Sequence, residues 1–223
     1  MDRFSRSLPL LTEAGLQKLQ NARVCVFGLG GVGAACAEAL VRAGIGHITF
    51  VDGDSYSLSN FNRQLYAEAS TLGENKAKVA AARARAICPE TEAVAVPSYY
   101  VPGEAFDLSL FDYLCDCIDD VPAKVDLICR AKAENVYILS AMGAGGKTDP
   151  ARFRVADLAK TNTCPLAKKM RIELKKHGIV HTPVVFSDEP PRAVASPPAS
   201  LSFVPPAAGF VMAGEVVRTL AGL

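Results

Sequence analysis

The chain has no surplus of either charge: 24 Lys and Arg stand against 23 Asp and Glu, a formal net charge of +1, so bulk electrostatics names no partner. It has no run of the roughly 18 uncharged apolar residues that a membrane span needs. The segment from Ala207 to Leu223 comes nearest, and Glu215 and Arg218 within it point to a buried helix with its charges at the rim. Met1 to Arg6 lack the apolar core of a signal peptide, so the expected location is the cytoplasm, without a membrane partner. Paired C-x-x-C motifs, the usual zinc spacing, are also missing. The seven cysteines are therefore expected to be thiols. Cys25, Cys36, Cys88 and Cys129 lie in apolar runs as small core residues, Cys115 and Cys117 form a lone C-x-C, and Cys164, in a polar segment before Pro165, is the one expected to be exposed.

What is present is the composition of one compact domain: 223 residues, 50% apolar and 21% charged. Short runs rich in Val and Ile alternate with helical patterns, the signature of a mostly parallel sheet with helices on both faces. Strands are predicted at Arg23 to Gly28, His47 to Asp52, Ala93 to Val96, Tyr113 to Asp119, Val136 to Ala141 and near Val184 to Phe186. Helices are predicted at Thr12 to Gln20 with Thr12 as cap, Ala34 to Ala43, about Glu74 to Ile87, Ala123 to Glu134, Leu166 to Lys176 and the C-terminal apolar segment. A Pro- and Ser-rich loop is expected from Ser187 to Ser200. Residues 1–150 read as a nucleotide-binding half and 151–223 as a substrate-facing and dimerisation half of the same domain.

Gly28-Leu29-Gly30-Gly31-Val32-Gly33 lies between a predicted strand and helix, with Asp52 at the tip of the next strand. Gly28 suits a tight turn, Gly30, Gly31 and Gly33 allow close approach of backbone N–H groups to phosphate, and Asp52 can accept from ribose hydroxyls. This motif also satisfies the NAD fingerprint, so a dehydrogenase stays open at this point. A triphosphate additionally needs cations, and Arg63 and Lys76 follow the second strand where polyphosphate would extend; the competing reading is a pair of solvated surface charges. Asp119, at the end of the fourth strand, could hold Mg2+ against phosphates, while Asp119 or Asp120 could instead cap the following helix. Lys160, Lys168, Lys169, Arg171, Lys175 and Lys176, with Arg152 and Arg154, concentrate positive charge in the second half, either as a nucleic-acid footprint or as a solvated helix face. His177 and His181 read as ordinary surface residues.

Taken together, the glycine motif, Asp52, Ser59-Asn60, Arg63-Gln64, Lys76 and Asp116-Cys117-Ile118-Asp119 resemble the ubiquitin-activating-enzyme-like superfamily, which adenylates carboxylates. The resemblance implies a Rossmann-like α/β fold with a C-terminal extension of the same domain. It implies that Asp52 binds ribose, that Asn60, Arg63, Gln64 and Lys76 contact ATP, and that Asp119 serves Mg2+. Arg6 would reach into a neighbouring subunit's site, which requires a homodimer.

Within the superfamily the chain is similar to the tRNA threonylcarbamoyladenosine dehydratase group through Arg3-Phe4, Gly44-Ile45-Gly46, Gly143 to Pro150, Asp157 to Thr161 and Ala207-Ala208-Gly209-Phe210. That group uses ATP to activate the threonyl carboxylate of a modified adenosine beside the tRNA anticodon, and an internal nitrogen then closes a ring with loss of water. Some members carry a cysteine just before Ala-Ala-Gly-Phe. Here Val204-Pro205-Pro206 stands there, which excludes a thioester step at that position. The other readings carried forward are an adenylyltransferase activating a ubiquitin-like sulfur-carrier partner, and a nucleotide-binding protein without catalysis or an NAD oxidoreductase.

Overall fold

Val24 and Val26 of the first strand enter one apolar core while Cys25 and Phe27 enter another, so a single strand feeds both faces of a sheet. A computed structural model describes residues 3–192 and 198–223. Its main elements in chain order are α1 (Leu8–Asn21), β1 (Arg23–Phe27), α2 (Gly31–Ala43), β2 (His47–Val51), α3 (Lys76–Ile87), β3 (Glu92–Val96), β4 (Tyr113–Asp116), α4 (Val121–Ala133), β5 (Tyr137–Ala141), β6 (Phe153–Asp157), α5 (Pro165–Lys176), β7 (Pro183–Ser187) and α6 (Val204–Ala221). The strands form one seven-stranded sheet in the order β3-β2-β1-β4-β5-β7-β6, parallel except for β6 against β7. This is the α/β, Rossmann-like fold expected from the alternation, and the sheet runs without a break from one half of the chain into the other.

α1, α2, α3 and α6 cover the Val24 side, and α4 and α5 the Phe27 side. The final helix serves as core rather than as an appendage: Met212 and Val216 are fully buried. An added Cβ on Gly209 would lie 2.2 Å from the Val32 carbonyl oxygen, so α6 and α2 touch backbone to backbone. Among the described residues no helix is long and apolar enough to cross a membrane.

Several expectations are corrected. β6 went unpredicted because Phe153-Arg154-Val155-Ala156-Asp157 is a short edge strand whose exposed charge breaks the apolar run. β4 stops at Asp116, three residues before the predicted end, because the chain turns there into the α4 cap. α1 starts at Leu8, yet Thr12 leaves helical geometry (φ 61°, ψ 165°) and its Oγ1 accepts from Gly15 N–H at 3.2 Å, which is the capping role expected of it. Cys164 is buried, not exposed: Thr163 takes a positive φ of 59°, turning the thiol inward beneath Gly143. Cys129, expected in the core, is half-buried. The loop expected from Ser187 begins only after that residue, which ends β7, and its positions 193–197 lie outside the described residues.

Candidate nucleotide site

The strand order reverses between β1 and β4, where α/β sheets open a crevice at the carboxyl ends of their strands. The glycine turn sits on one side of that crevice. Gly28 adopts φ +82°, and a Cβ there would lie 2.9 Å from the Cys117 carbonyl group; a Cβ on Gly33 would lie 1.8 Å from the Gly28 oxygen. α2 begins with Gly30 as a cap that supplies no side chain and has no acid in its first turn. Its first N–H groups are therefore left for an anion, with the helix dipole favouring one.

Asp52 is buried behind this turn. Its Oδ2 accepts from Leu29 N–H at 2.6 Å and its Oδ1 from Asp54 N–H at 2.8 Å, so the carboxylate braces the glycine loop. Burial pushes its pKa up, against the pull of those two bonds. Lys76 opens α3 with its side chain buried and donates from Nζ to Asp54 Oδ2 at 2.9 Å; the Tyr99 hydroxyl donates to the other Asp54 oxygen. Burial alone would raise the Asp54 carboxyl, but these two donors hold it low. Asp54 and Tyr99 were not foreseen. The only signal was an acid two residues past Asp52, and a pairing across 45 residues leaves no local pattern.

Asn60 folds its own loop: its Oδ1 accepts at 3.1 Å from the N–H of Ser57, the N-cap of a short 3-10 turn that Asn60 ends. Arg63 is half-buried and donates to the Ser59 carbonyl at 2.9 Å and Asn62 Oδ1 at 2.8 Å. Its carbonyl lies against Gly31, whose added Cβ would be 3.2 Å away. Gln64 is buried beside Gly30, with an Oε1 that finds no partner among the described residues. On the opposite bank Asp120 caps α4 by accepting from Ala123 N–H at 2.9 Å, which leaves Asp119 exposed in the loop between β4 and α4. The structure thus brings Gly28, Gly30, Gly31, Gly33, Asp52, Arg63, Gln64 and Lys76 to one edge of the crevice and Asp119 to the other.

Arg6 is not brought to this crevice. Its neighbour Phe4 packs on Gly44, at the far end of α2 from the glycine turn, and Arg3 donates to the Ile87 carbonyl at 2.7 Å. The basic cluster is also thinner than its sequence. Arg152 and Arg154 pair with Asp188 at 2.6 and 2.7 Å, Lys176 pairs with Glu173 at 2.6 Å, and Arg171 binds the Thr161 carbonyl at 3.0 Å. Lys160, Lys168, Lys169 and Lys175 remain exposed and form no ion pair among the described residues.

Beyond β5 the loop Gly143 to Thr148 is tied to the end of β7. Buried Lys147 donates to the Glu189 carbonyl, and the Glu189 carboxylate accepts from Thr148 N–H at 3.0 Å and Asp149 N–H at 2.9 Å. The Asp149 amide first, then Thr148 and Arg192, hold this carboxyl down to about 2. A depressed carboxylate contributes stability that is fully present above its unfolded pKa, near 4.3, and lost as pH falls toward 2. Glu189→Gln should therefore flatten the acid limb of the thermal-stability curve in that window; an unchanged limb would show the cradle to be idle.

A model described as the ThiF family matches residues 4–223. The chain is 39% identical over 242 residues to the tRNA threonylcarbamoyladenosine dehydratase of Bacillus subtilis, covering 99% of this chain and 95% of that one. Its fold superposes on the Escherichia coli tRNA N6-threonylcarbamoyladenosine dehydratase, TcdA, in complex with ATP, with a TM-score of 0.90 and 35% identity over 99% of this chain and 94% of that one. By contrast, the adenylyltransferase and sulfurtransferase MOCS3 of Mus musculus matches 55% of this chain and only 27% of its own length, at 39% identity. The match thus runs along almost the whole chain, and the chain belongs to the ThiF family.

Proposed function

We propose that this chain is an ATP-dependent tRNA threonylcarbamoyladenosine dehydratase. The observation that carries the reading is the crevice itself, with a bare helix N-terminus, Arg63 and Lys76 on one bank and Asp119 on the other, in a chain that matches dehydratases along almost its whole length. The threonyl carboxylate attacks the α-phosphorus of ATP and pyrophosphate leaves. The internal nitrogen then attacks the acyl carbon, loses its proton, and AMP departs carrying one carboxyl oxygen. Attack within one substrate gains from proximity, so no protein thiol is needed and Val204-Pro205-Pro206 is compatible with turnover.

Asp52 faces the ribose, Asn60, Gln64, Arg63 and Lys76 hold the phosphates' side of the site, and Lys76 exchanges Asp54 for phosphate as the nucleotide enters. Asp119, an exposed carboxylate on the bank opposite the glycine turn, suits a magnesium ion shared with phosphate oxygens. Such an ion, held by Asp119, would neutralise charge on the departing pyrophosphate. The unpaired Lys160, Lys168, Lys169 and Lys175 supply a phosphate-binding surface for tRNA. The setting is cytoplasmic. No specific observation favours a sulfur-carrier partner, given the short overlap with MOCS3.

AMP release by the purified protein should depend on tRNA bearing the modified adenosine. Release that depends instead on a small protein ending in Gly-Gly would transfer the chain to the carrier-activating class. The working unit in this reading is a homodimer in which Arg6 serves the neighbouring site, in keeping with Phe4, two residues before it, packing on Gly44 at the far end of α2 from the chain's own glycine turn. Exposed Leu58, Phe61, Leu201 and Phe203, each at least 39% exposed, offer apolar surface beside the crevice for the second copy. Mixing R6A protomers with R63A protomers in equal amounts should restore about a quarter of activity through hybrid sites; no restoration at any ratio would refute the shared site.

A further inference from the structure

At the floor of the crevice lies a charged group that the adenylation chemistry does not use. Asp116 ends β4 and Lys124 lies in the first turn of α4; both side chains are fully buried, and Nζ stands 2.9 Å from Asp116 Oδ2. The same Oδ2 accepts from Ser140 Oγ of β5 at 2.6 Å, Oδ1 accepts from Ile118 N–H at 3.2 Å, and Lys124 Nζ donates to the Ile118 carbonyl at 3.0 Å. Ile118 is therefore gripped at both its amide and its carbonyl by opposite ends of one ion pair.

Burying such a pair is expensive, and a hydrophobic replacement commonly stabilises a fold at least as well. Stability alone is then a weak reason for its presence. Its geometry serves placement. The gripped residue separates Cys117, whose carbonyl group a Cβ on Gly28 would meet at 2.9 Å, from Asp119. The loop thus packs on the phosphate-binding turn at one end and carries Asp119 at the other, and the ion pair fixes both relative to the sheet.

We propose that Asp116, Lys124 and Ser140 are positioning residues: a buried lock that holds the Cys117–Asp119 loop in register with the glycine turn, so that Asp119 meets the nucleotide's phosphates. The proposal rests on the function proposed above. All three side chains are buried away from the crevice surface, so the lock acts through the placement of Asp119.

The test uses the full chain. Lys124→Met alone strands a buried carboxylate and is expected to fold poorly. The double variant Asp116→Asn/Lys124→Met removes both charges and restores folding, but methionine cannot donate to the Ile118 carbonyl. In that double variant, amide exchange of residue 118, whose N–H is held by the residue-116 side chain, should quicken about tenfold, as expected when a hydrogen bond that supports it is lost. The Mg2+ concentration giving half-maximal ATP binding should rise about tenfold, while ATP binding in EDTA stays within about twofold, because the glycine turn keeps its own brace. Ser140→Ala, which keeps the ion pair and must fold, should move both readouts in the same direction by a smaller factor.

A folded double variant with wild-type exchange and wild-type Mg2+ dependence would overturn the lock and leave charge balance as the pair's only role. If the double variant does not fold, Ser140→Ala decides alone, and no change in either readout overturns the proposal. Failure of the unmodified protein to bind ATP would be a different result, since it would sink the proposed function and not the lock.

Discussion

Asp119→Ala and Arg63→Ala should each lower AMP formation about 100- to 1000-fold, the usual cost of removing one preorganised group that stabilises transition-state charge. Neither change should unfold the protein. Asp119 is exposed in a loop where Asp120, not Asp119, caps α4, and Arg63 bonds only within its own loop. Unfolding free energies should therefore stay within about 0.5 kcal/mol of the parent, as for surface sites without a structural duty. Steady-state AMP release with parallel thermal melts checks both statements. Retained turnover in either variant would remove that residue from the assignment.

Gly33→Ala should do the opposite and lose stability and nucleotide affinity together. The new methyl would sit 1.8 Å from the Gly28 carbonyl oxygen, a backbone atom that cannot swing aside as a side chain can. Overpacking of this kind costs about 3 kcal/mol or more, which for a chain of this size lowers the melting temperature by roughly 6–12 °C. ATP affinity should fall with it, because Gly28 must move and it carries the turn. Gly30→Ala is the matched control: its methyl meets only Gln64 Nε2, at 3.9 Å, so it should melt like the parent. Equal melting of the two variants would contradict the close packing of α2 on the turn.

The legible parts of the fold were those written in local pattern. Val24 to Phe27 and Ile48 to Val51 announce buried strands, and the glycine spacing announces the turn between strand and helix. Along the sequence Asp52, Arg63, Lys76 and Asp119 could be nominated as candidates. What stayed hidden depends on tertiary partners: no local pattern joins Asp116 to Lys124 and to Ser140 of β5, or Asp54 to Tyr99 beyond the end of β3. Cys164 misled for the same reason, since flanking polarity does not reveal that a positive φ at Thr163 points the thiol inward.

Asp52 shows a further limit of motif reading. As a ribose acceptor it is an open, ligand-facing carboxylate; in the structure both its oxygens already accept backbone N–H groups of the loops it joins. Each carboxylate oxygen has capacity for a further donor, so bracing and ribose contact are compatible. A loss of ATP affinity in Asp52→Asn would consequently mix two effects, and it is a poorer probe of the site than Asp119 or Arg63.

The central claim is that the threonyl carboxylate passes through an acyl-adenylate in this crevice, and the fate of one oxygen atom tests it most directly. Modified tRNA carrying heavy oxygen in that carboxylate should yield AMP with one heavy oxygen on its phosphate for every nucleoside cyclised. AMP free of label alongside cyclised product, or cyclisation coupled to ADP and phosphate, would contradict the account.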